Sequence, residues 1–138
     1  MDQLRIFFPV LALVLLTFQV LLLIPIMRFR AAFAGRVTAA DFRYGESAGV
    51  PDTVRLPNRN YMNLLELPQL FYVLAVLLFI TSRVDAVQLG LAWAYVALRA
   101  LHSLVHLTYN RVIQRLVLFA TSNFVLFAMW VRFGLTLL

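Results

Sequence analysis

The sequence contains no cysteine and no lysine, and it has few charged residues of any kind. Without cysteine the chain cannot form a disulfide, use its own thiolate as a nucleophile or bind a metal through sulfur. Any sulfur chemistry therefore needs a thiol brought by a substrate or cofactor. Charged residues make up 13% of the chain and hydrophobic residues 63%, against about 25% and about 45–50% in soluble domains. Since a soluble domain of this size cannot hide so much apolar surface, the composition indicates an integral membrane protein.

Four long apolar segments account for most of the sequence, and each approaches the roughly 20 residues that cross a bilayer. The first contains 22 residues without a charge, at 6–27. Because this run is longer than the apolar core of a signal peptide, we expect it to be a retained span. A polar, turn-rich loop follows at 34–57. The sequence therefore predicts one all-α domain over 1–138, an integral membrane four-helix bundle with spans at about 5–33, 58–82, 86–109 and 112–137.

The arginines are distributed unequally between the two ends of this predicted bundle. Lys and Arg accumulate in cytoplasmic loops, so we expect the long first loop in the cytoplasm and both termini outside. A basic chain can also bind nucleic acid, but these arginines cluster at the ends of apolar runs and no nucleic-acid partner is expected. The side with the termini holds Arg5, Arg83 and Arg132, whereas the side with the loop holds eight, Arg28, Arg30, Arg36, Arg43, Arg55, Arg59, Arg111 and Arg115.

Two groups of polar residues lie within the predicted spans, where charges are costly and commonly face the bundle interior. In the second span, Arg59, Asn63 and Glu66 have i, i+4 and i+7 spacing, which places them on one helical face. Pro68 follows closely and should distort the helix, which frees backbone carbonyls. A second face on the third span, together with the start of the fourth span, carries Arg99, His102, His106, Tyr109 and Arg115.

These faces have two interpretations from the residues alone. One is an internal ion-pair network, with Glu66 paired to Arg99 and the other polar groups hydrogen-bonded across helices. The other is a binding site for a small, multiply charged, amide-rich ligand, because Arg grips carboxylates, Glu holds ammonium groups and Asn pairs with peptide groups. His102 and His106 also have the i, i+4 spacing of a helical zinc site. The adjacent Glu and a third ligand are missing, so no metal is expected.

The run from Arg59 to Pro68, which contains an Asn-x-x-Glu element at Asn63 and Glu66, resembles the second-helix signature of the MAPEG family. This family comprises membrane-associated proteins of eicosanoid and glutathione metabolism. The resemblance covers the whole chain, and it indicates a bacterial-type member in the inner membrane. Further similarity, in the same order, comes from the third-helix run Arg99-Ala100-Leu101-His102 and from Arg115 at the start of the fourth helix.

The resemblance implies a homotrimer that binds glutathione between the second, third and fourth helices of neighbouring protomers. Arg30 and Arg59 are then candidates for contacts to the carboxylates of the peptide. Asn63 and Glu66 would hold its γ-glutamyl end and its amide groups. The remaining candidates for glutathione binding are Arg99, His102, His106 and Tyr109.

The resemblance also implies that Arg115 is catalytic and lies beside the sulfur. A positive charge at close range lowers the pKa of a thiol, and the thiolate is the nucleophile. It would attack a lipophilic electrophile or reduce a lipid hydroperoxide that enters from the bilayer. Three positions depart from the family pattern: Met62 replaces an arginine of several catalytic members, His106 replaces a frequent Tyr, and Phe119 replaces a Tyr. The changes at Met62 and Phe119 remove hydrogen-bond donors.

Two other functions are compatible with the sequence. In the first, the protein is a non-catalytic membrane scaffold or accessory subunit, and Glu66, Arg99 and the histidines lock a trimer together. Arg115→Ala would then leave function untouched, whereas Glu66→Ala would prevent assembly. In the second, the protein is a small exporter with Glu66 as a proton-coupled cation site, although the nearby arginines repel cations.

Overall fold

Five α-helices and two short 3-10 helices make up the computed structural model, which describes residues 2–138. α2 and α3 are the two halves of one broken segment, so four helical segments form the bundle, and the described residues contain no strand. This architecture confirms the predicted all-helical fold class. The α-helices are α1 (Phe7–Phe33), α2 (Asp52–Leu65), α3 (Pro68–Ile80), α4 (Ala86–Leu107) and α5 (Val112–Leu135), and the 3-10 helices are Gln3–Ile6 and Ala39–Phe42.

Three helical segments of the described chain are long and apolar enough to cross a membrane: Gln3–Phe33, Asp52–Ile80 and Val112–Leu135. α4 does not belong to this group, although it has 22 residues. Its polar residues, which lower its hydropathy, are buried against the other helices, while Leu101 and Leu104 are exposed on its outer face. A helix that crosses a bilayer with its polar groups directed inward has this arrangement.

The second segment is broken at Glu66 and Leu67, as the position of Pro68 predicts. Proline has no amide hydrogen for the carbonyl four residues earlier, and its ring collides with that carbonyl. α2 accordingly ends at Leu65, where Glu66 leaves the helical region with ψ −93°. α3 then begins with Pro68 at its first position, where proline is tolerated.

α2 begins at Asp52, earlier than the expected start near Asn58. The extra turns bury Val54 against Ala31 of α1 and Val50 of the loop. This small cluster is separate from the main core, and it fixes the start of α2 beside the end of α1. Tertiary packing therefore extends the helix into a stretch whose polar composition is typical of a loop.

The loop between α1 and α2 is folded by local polar contacts. The Asp41 carboxylate accepts hydrogen bonds from the Thr38 backbone N–H at 2.8 Å and from the Ser47 hydroxyl at 2.7 Å, and these bonds hold the pKa of Asp41 below its usual range. The Arg28 guanidinium pairs with Glu46 at 3.2 Å. These contacts close the loop against the end of α1.

The main core fills the space between the four segments. α4 packs most extensively on α5, and α1 packs on α2. Apolar side chains outside the core are exposed along α1 and α5, and a membrane protein presents such surfaces to lipid. The fully buried core side chains include Ile6, Leu13, Phe71, Leu74, Leu78, Tyr95 and Met129.

The end of the bundle that carries the termini is held by side chains that cross between segments. The Gln3 amide contacts both backbone groups of Val84, at 2.8 and 3.3 Å. Asp85 caps α4 by accepting from the Gln88 backbone N–H at 2.8 Å, and it pairs with Arg132 of α5 at 2.5 Å. The Gln88 backbone and the Arg132 guanidinium hold the pKa of Asp85 below its usual range. The candidate site lies at the opposite end.

Candidate functional site

A polar cleft of about 230 Å³ lies where α2, α4 and α5 meet. Its walls include three residues that the sequence predicted as site residues: Asn63 from α2, His102 from α4 and Arg115 from α5. The bundle therefore brings together polar groups that are far apart in the sequence. The other walls are apolar and come from Val112, Leu116 and Phe119.

Arg115 lies near the start of α5 and is partly buried. Its Nη1 donates a hydrogen bond to the side-chain oxygen of Asn110 at 2.7 Å. No carboxylate of residues 2–138 lies within ion-pair distance of Arg115. The side chain is thus held at the cleft by a neutral partner, and its positive charge is not compensated by an acid.

Arg99 of α4 is completely buried behind the cleft. Its Nη2 donates to the Asn63 backbone carbonyl at 2.5 Å. That carbonyl lies in the last turn of α2, where a helix leaves its carbonyls without intrahelical partners, and the break at Pro68 ends the helix there. The Arg99 guanidinium also lies 5.6 Å from the ring of Phe119. Its Nε and Nη1 have no hydrogen-bond partner among the described residues.

His102 and His106 lie one turn apart on the buried face of α4, and each is 2% exposed. Their rings are in edge-to-face contact, with centroids 5.6 Å apart, and the ring of His102 lies 5.8 Å from that of Phe119. Within the described chain, Nδ1 of His102 and both ring nitrogens of His106 lack a hydrogen-bond partner. Buried polar groups normally have partners, so this interior is suited to a polar ligand or to ordered water.

Six of the nine predicted site residues do not line the cleft. Arg99 and His106 are buried beside it, and the other four are exposed. Glu66, Arg59 and Arg30 are exposed, and Tyr109 is 59% exposed beyond the end of α4. The backbone carbonyl of Arg59 accepts from the Asn63 side chain at 2.9 Å, but the guanidinium of Arg59 makes no ion pair in the part of the chain that the structure describes.

The pairing of Glu66 with Arg99, one of the two interpretations from the sequence, is not formed among residues 2–138. Arg99 is held by a backbone carbonyl instead of a carboxylate. The physical reason is the break after Leu65, which exposes that carbonyl to α4 and leaves the side chain of Glu66 at the surface.

Two polar contacts beside the cleft were not predicted from the sequence. The Ser103 hydroxyl donates to the Asn60 side-chain oxygen at 3.2 Å, and both residues are buried between α4 and α2. Ser103 follows Arg99 by four residues, so the spacing that placed Arg99 inward also indicates Ser103. Asn110, the partner of Arg115, lies in a turn and therefore has no helical periodicity that could reveal it.

The chain is therefore a helical membrane protein whose buried polar residues converge at one end of the bundle. The sequence model of the MAPEG family matches residues 6–135, so the chain belongs to the MAPEG family. This match confirms the resemblance found in the sequence. The family includes glutathione transferases and related membrane proteins, and its members commonly use glutathione. No curated protein matches the chain, and no solved structure matches it.

Proposed function

We propose that the protein is a membrane-bound glutathione transferase or peroxidase that activates the glutathione thiol in the cleft of α2, α4 and α5. The observation that carries this proposal is the convergence of Asn63, His102 and Arg115 on one cleft, where no acid of residues 2–138 is paired with Arg115. Membership of a family that commonly uses glutathione supports the same function.

The polar groups of the site fit the chemistry of glutathione. The peptide offers carboxylates, amides and a thiol, and Arg and Asn side chains pair well with such groups. Arg99 and the two histidines carry buried polar atoms without partners in the described residues, and a bound peptide or the water around it would satisfy them. Arg30, Arg59, Glu66 and Tyr109 stay candidates for contacts in the assembled protein.

Arg115 is the residue that we assign to thiol activation. A guanidinium near the sulfur stabilises thiolate over thiol, and the proton is released to water. Bound glutathione would supply the nucleophile. In the transferase reaction, the thiolate would form a bond to an electrophilic carbon, and the leaving group would depart with its electron pair. In the peroxidase reaction, two glutathione molecules would reduce a hydroperoxide to an alcohol and water and would be oxidised to glutathione disulfide. The low dielectric of the bundle strengthens the effect of the Arg115 charge.

An apolar groove beside the cleft supports a lipophilic substrate. It measures about 590 Å³, runs along α5, and shares Leu116 and Phe119 with the cleft. Phe124 and Phe127 line it further along the helix and are largely exposed. An electrophile dissolved in the bilayer would reach the cleft through this groove without crossing water.

We further propose that the site is completed in a homotrimer. The cleft of one chain, about 230 Å³, is smaller than the roughly 300–1,000 Å³ of typical ligand pockets. Glu66 is exposed within a helical segment that is apolar enough to cross a membrane, where an uncovered carboxylate is costly. A second copy would cover Glu66 and enlarge the site. The unequal arginines favour an inner-membrane orientation with this end in the cytoplasm and the termini outside.

The proposal is tested by ultraviolet difference absorbance of the purified protein with glutathione. A saturable thiolate signal is expected in the wild type, and Arg115→Ala should abolish it. Arg111→Ala is the matched control, because Arg111 has the same charge, lies at the same end of the bundle and does not line the cleft. Absence of the signal at millimolar glutathione, from protein that is still assembled, would refute the transferase function.

A non-catalytic scaffold is the second candidate, and the bond from Arg99 to the Asn63 carbonyl favours it, because this bond links α4 to α2 without any ligand. Under this function Arg115→Ala is silent, and Glu66→Ala prevents assembly. Size-exclusion chromatography of the two variants beside the thiolate measurement separates the two functions.

A further inference from the structure

The turn between α4 and α5 has an unusual backbone at Asn110. Its φ of +47° lies in the left-handed region, which asparagine tolerates better than other residues with side chains. The Asn110 backbone N–H donates to the Val105 carbonyl at 2.8 Å and so closes the end of α4. These features fix the backbone from which the Asn110 side chain projects.

The side chain of Asn110 reaches the proposed catalytic arginine. Its oxygen accepts from Nη1 of Arg115 at 2.7 Å. A long arginine side chain has many rotamers, and holding it in one of them is entropically costly. An acceptor on a fixed backbone reduces that freedom, and the guanidinium then lies at the cleft before any ligand binds.

We propose that Asn110 is a positioning residue that holds the Arg115 guanidinium at the cleft while leaving its positive charge uncompensated. This inference rests on the proposed function, because the charge matters only where a thiolate is to be stabilised. Asn110 does not line the cleft, and it acts on the sulfur only through Arg115.

The important property of Asn110 is that its side-chain amide is neutral. An aspartate at position 110 would accept the same hydrogen bond and would tolerate the same backbone, but its charge would offset that of Arg115. A glycine would keep the left-handed backbone and lose the acceptor. Asn110→Asp therefore tests the effect of the Arg115 charge, and Asn110→Gly tests the effect of the position of the Arg115 side chain.

The test is a pH titration of the thiolate absorbance for the wild type, Asn110→Asp and Asn110→Gly. We expect Asn110→Asp to raise the apparent pKa of bound glutathione by about 1 unit or more, which is a tenfold lower ratio of thiolate to thiol. Asn110→Gly should raise it less and should weaken glutathione binding. Thr108→Ala, which changes a neighbouring exposed hydroxyl of the same turn, should match the wild type.

Two comparisons test whether Asn110 acts through Arg115. In an Arg115→Ala background, where the thiolate signal is already absent, Asn110→Asp should leave the affinity for glutathione in calorimetric titration unchanged, and a further loss of affinity there would show that Asn110 acts by another route. A wild-type thiolate signal with unchanged titrations in both assembled Asn110 variants would overturn this inference alone. Absence of thiolate in the wild type would overturn the proposed function and this inference together.

Discussion

Replacement of the buried arginine Arg99 by methionine should abolish glutathione binding without lowering the free energy of unfolding. Arg99 is fully buried, makes one hydrogen bond, to the Asn63 carbonyl, and has no carboxylate partner among the described residues. Methionine has a similar length and flexibility and removes the charge. The variant Arg99→Met therefore replaces a buried cation by an apolar side chain in nearly the same volume.

The effect on stability follows from two opposing contributions. The lost hydrogen bond to a charged group is worth about 1.5–3 kcal/mol. Against this, a buried ion carries an effective desolvation penalty of several kcal/mol, and replacing buried charges by apolar groups is often neutral or stabilising by about 1–4 kcal/mol. We expect the free energy of unfolding of Arg99→Met to equal or exceed that of the wild type, while glutathione binding is lost.

Thermal unfolding in detergent, followed by circular dichroism with and without glutathione, measures both effects. Glutathione at a hundredfold excess over Kd should stabilise the wild-type protein by about 2.7 kcal/mol and so raise its melting temperature. The melting temperature of Arg99→Met should not change when glutathione is added. Arg99→Lys is the control that keeps the charge. A decrease of more than about 2 kcal/mol in the free energy of unfolding of ligand-free Arg99→Met would contradict this prediction, because Arg99 would then be needed to stabilise the fold.

Two further predictions concern the ends of the bundle. Asp85→Ala removes the cap on the Gln88 N–H and the partly exposed pair with Arg132, and it should cost about 1–2 kcal/mol in chemical unfolding. Because the pKa of Asp85 in the folded protein is lowered from its ordinary 3.8, this stabilisation is present above pH 3.8 and is lost as the pH falls through the lower pKa of the folded protein. Equal free energies of unfolding for the wild type and Asp85→Ala at pH 7 would contradict this prediction. Pro68→Ala should join α2 to α3 and deprive Arg99 of its backbone acceptor. The lost hydrogen bond should lower the free energy of unfolding by up to about 1.5–3 kcal/mol, and the restored helical hydrogen bond should offset part of this loss. An unchanged affinity for glutathione would contradict the role of the break.

The helical bundle could be predicted from the sequence because its signals are local. Long apolar runs give the segments, and the missing amide hydrogen of Pro68 gives the break in the second one. The inward face of α4 follows from helical periodicity, which correctly placed Arg99, His102 and His106 in the interior. The MAPEG resemblance depended on the same residues, and the family match confirms it.

The details that periodicity does not encode could not be predicted. Asn110 contacts Arg115 through a turn with a left-handed backbone, and such a contact leaves no repeat in the sequence. The early start of α2 depends on Val54 packing against α1 and the loop, which is a tertiary contact. Arg99 binds a carbonyl instead of Glu66, because the break offers a backbone acceptor that residue types alone do not reveal.

Whether the cleft binds glutathione is tested most directly by a structure of the protein in lipid nanodiscs with glutathione, determined by electron cryomicroscopy. The proposed function predicts density for the tripeptide in the cleft of Asn63, His102 and Arg115, with the sulfur beside the Arg115 guanidinium and a second copy of the chain closing the site over Glu66. Glutathione bound elsewhere, or an assembled protein whose cleft stays free of glutathione at millimolar concentration, would contradict it.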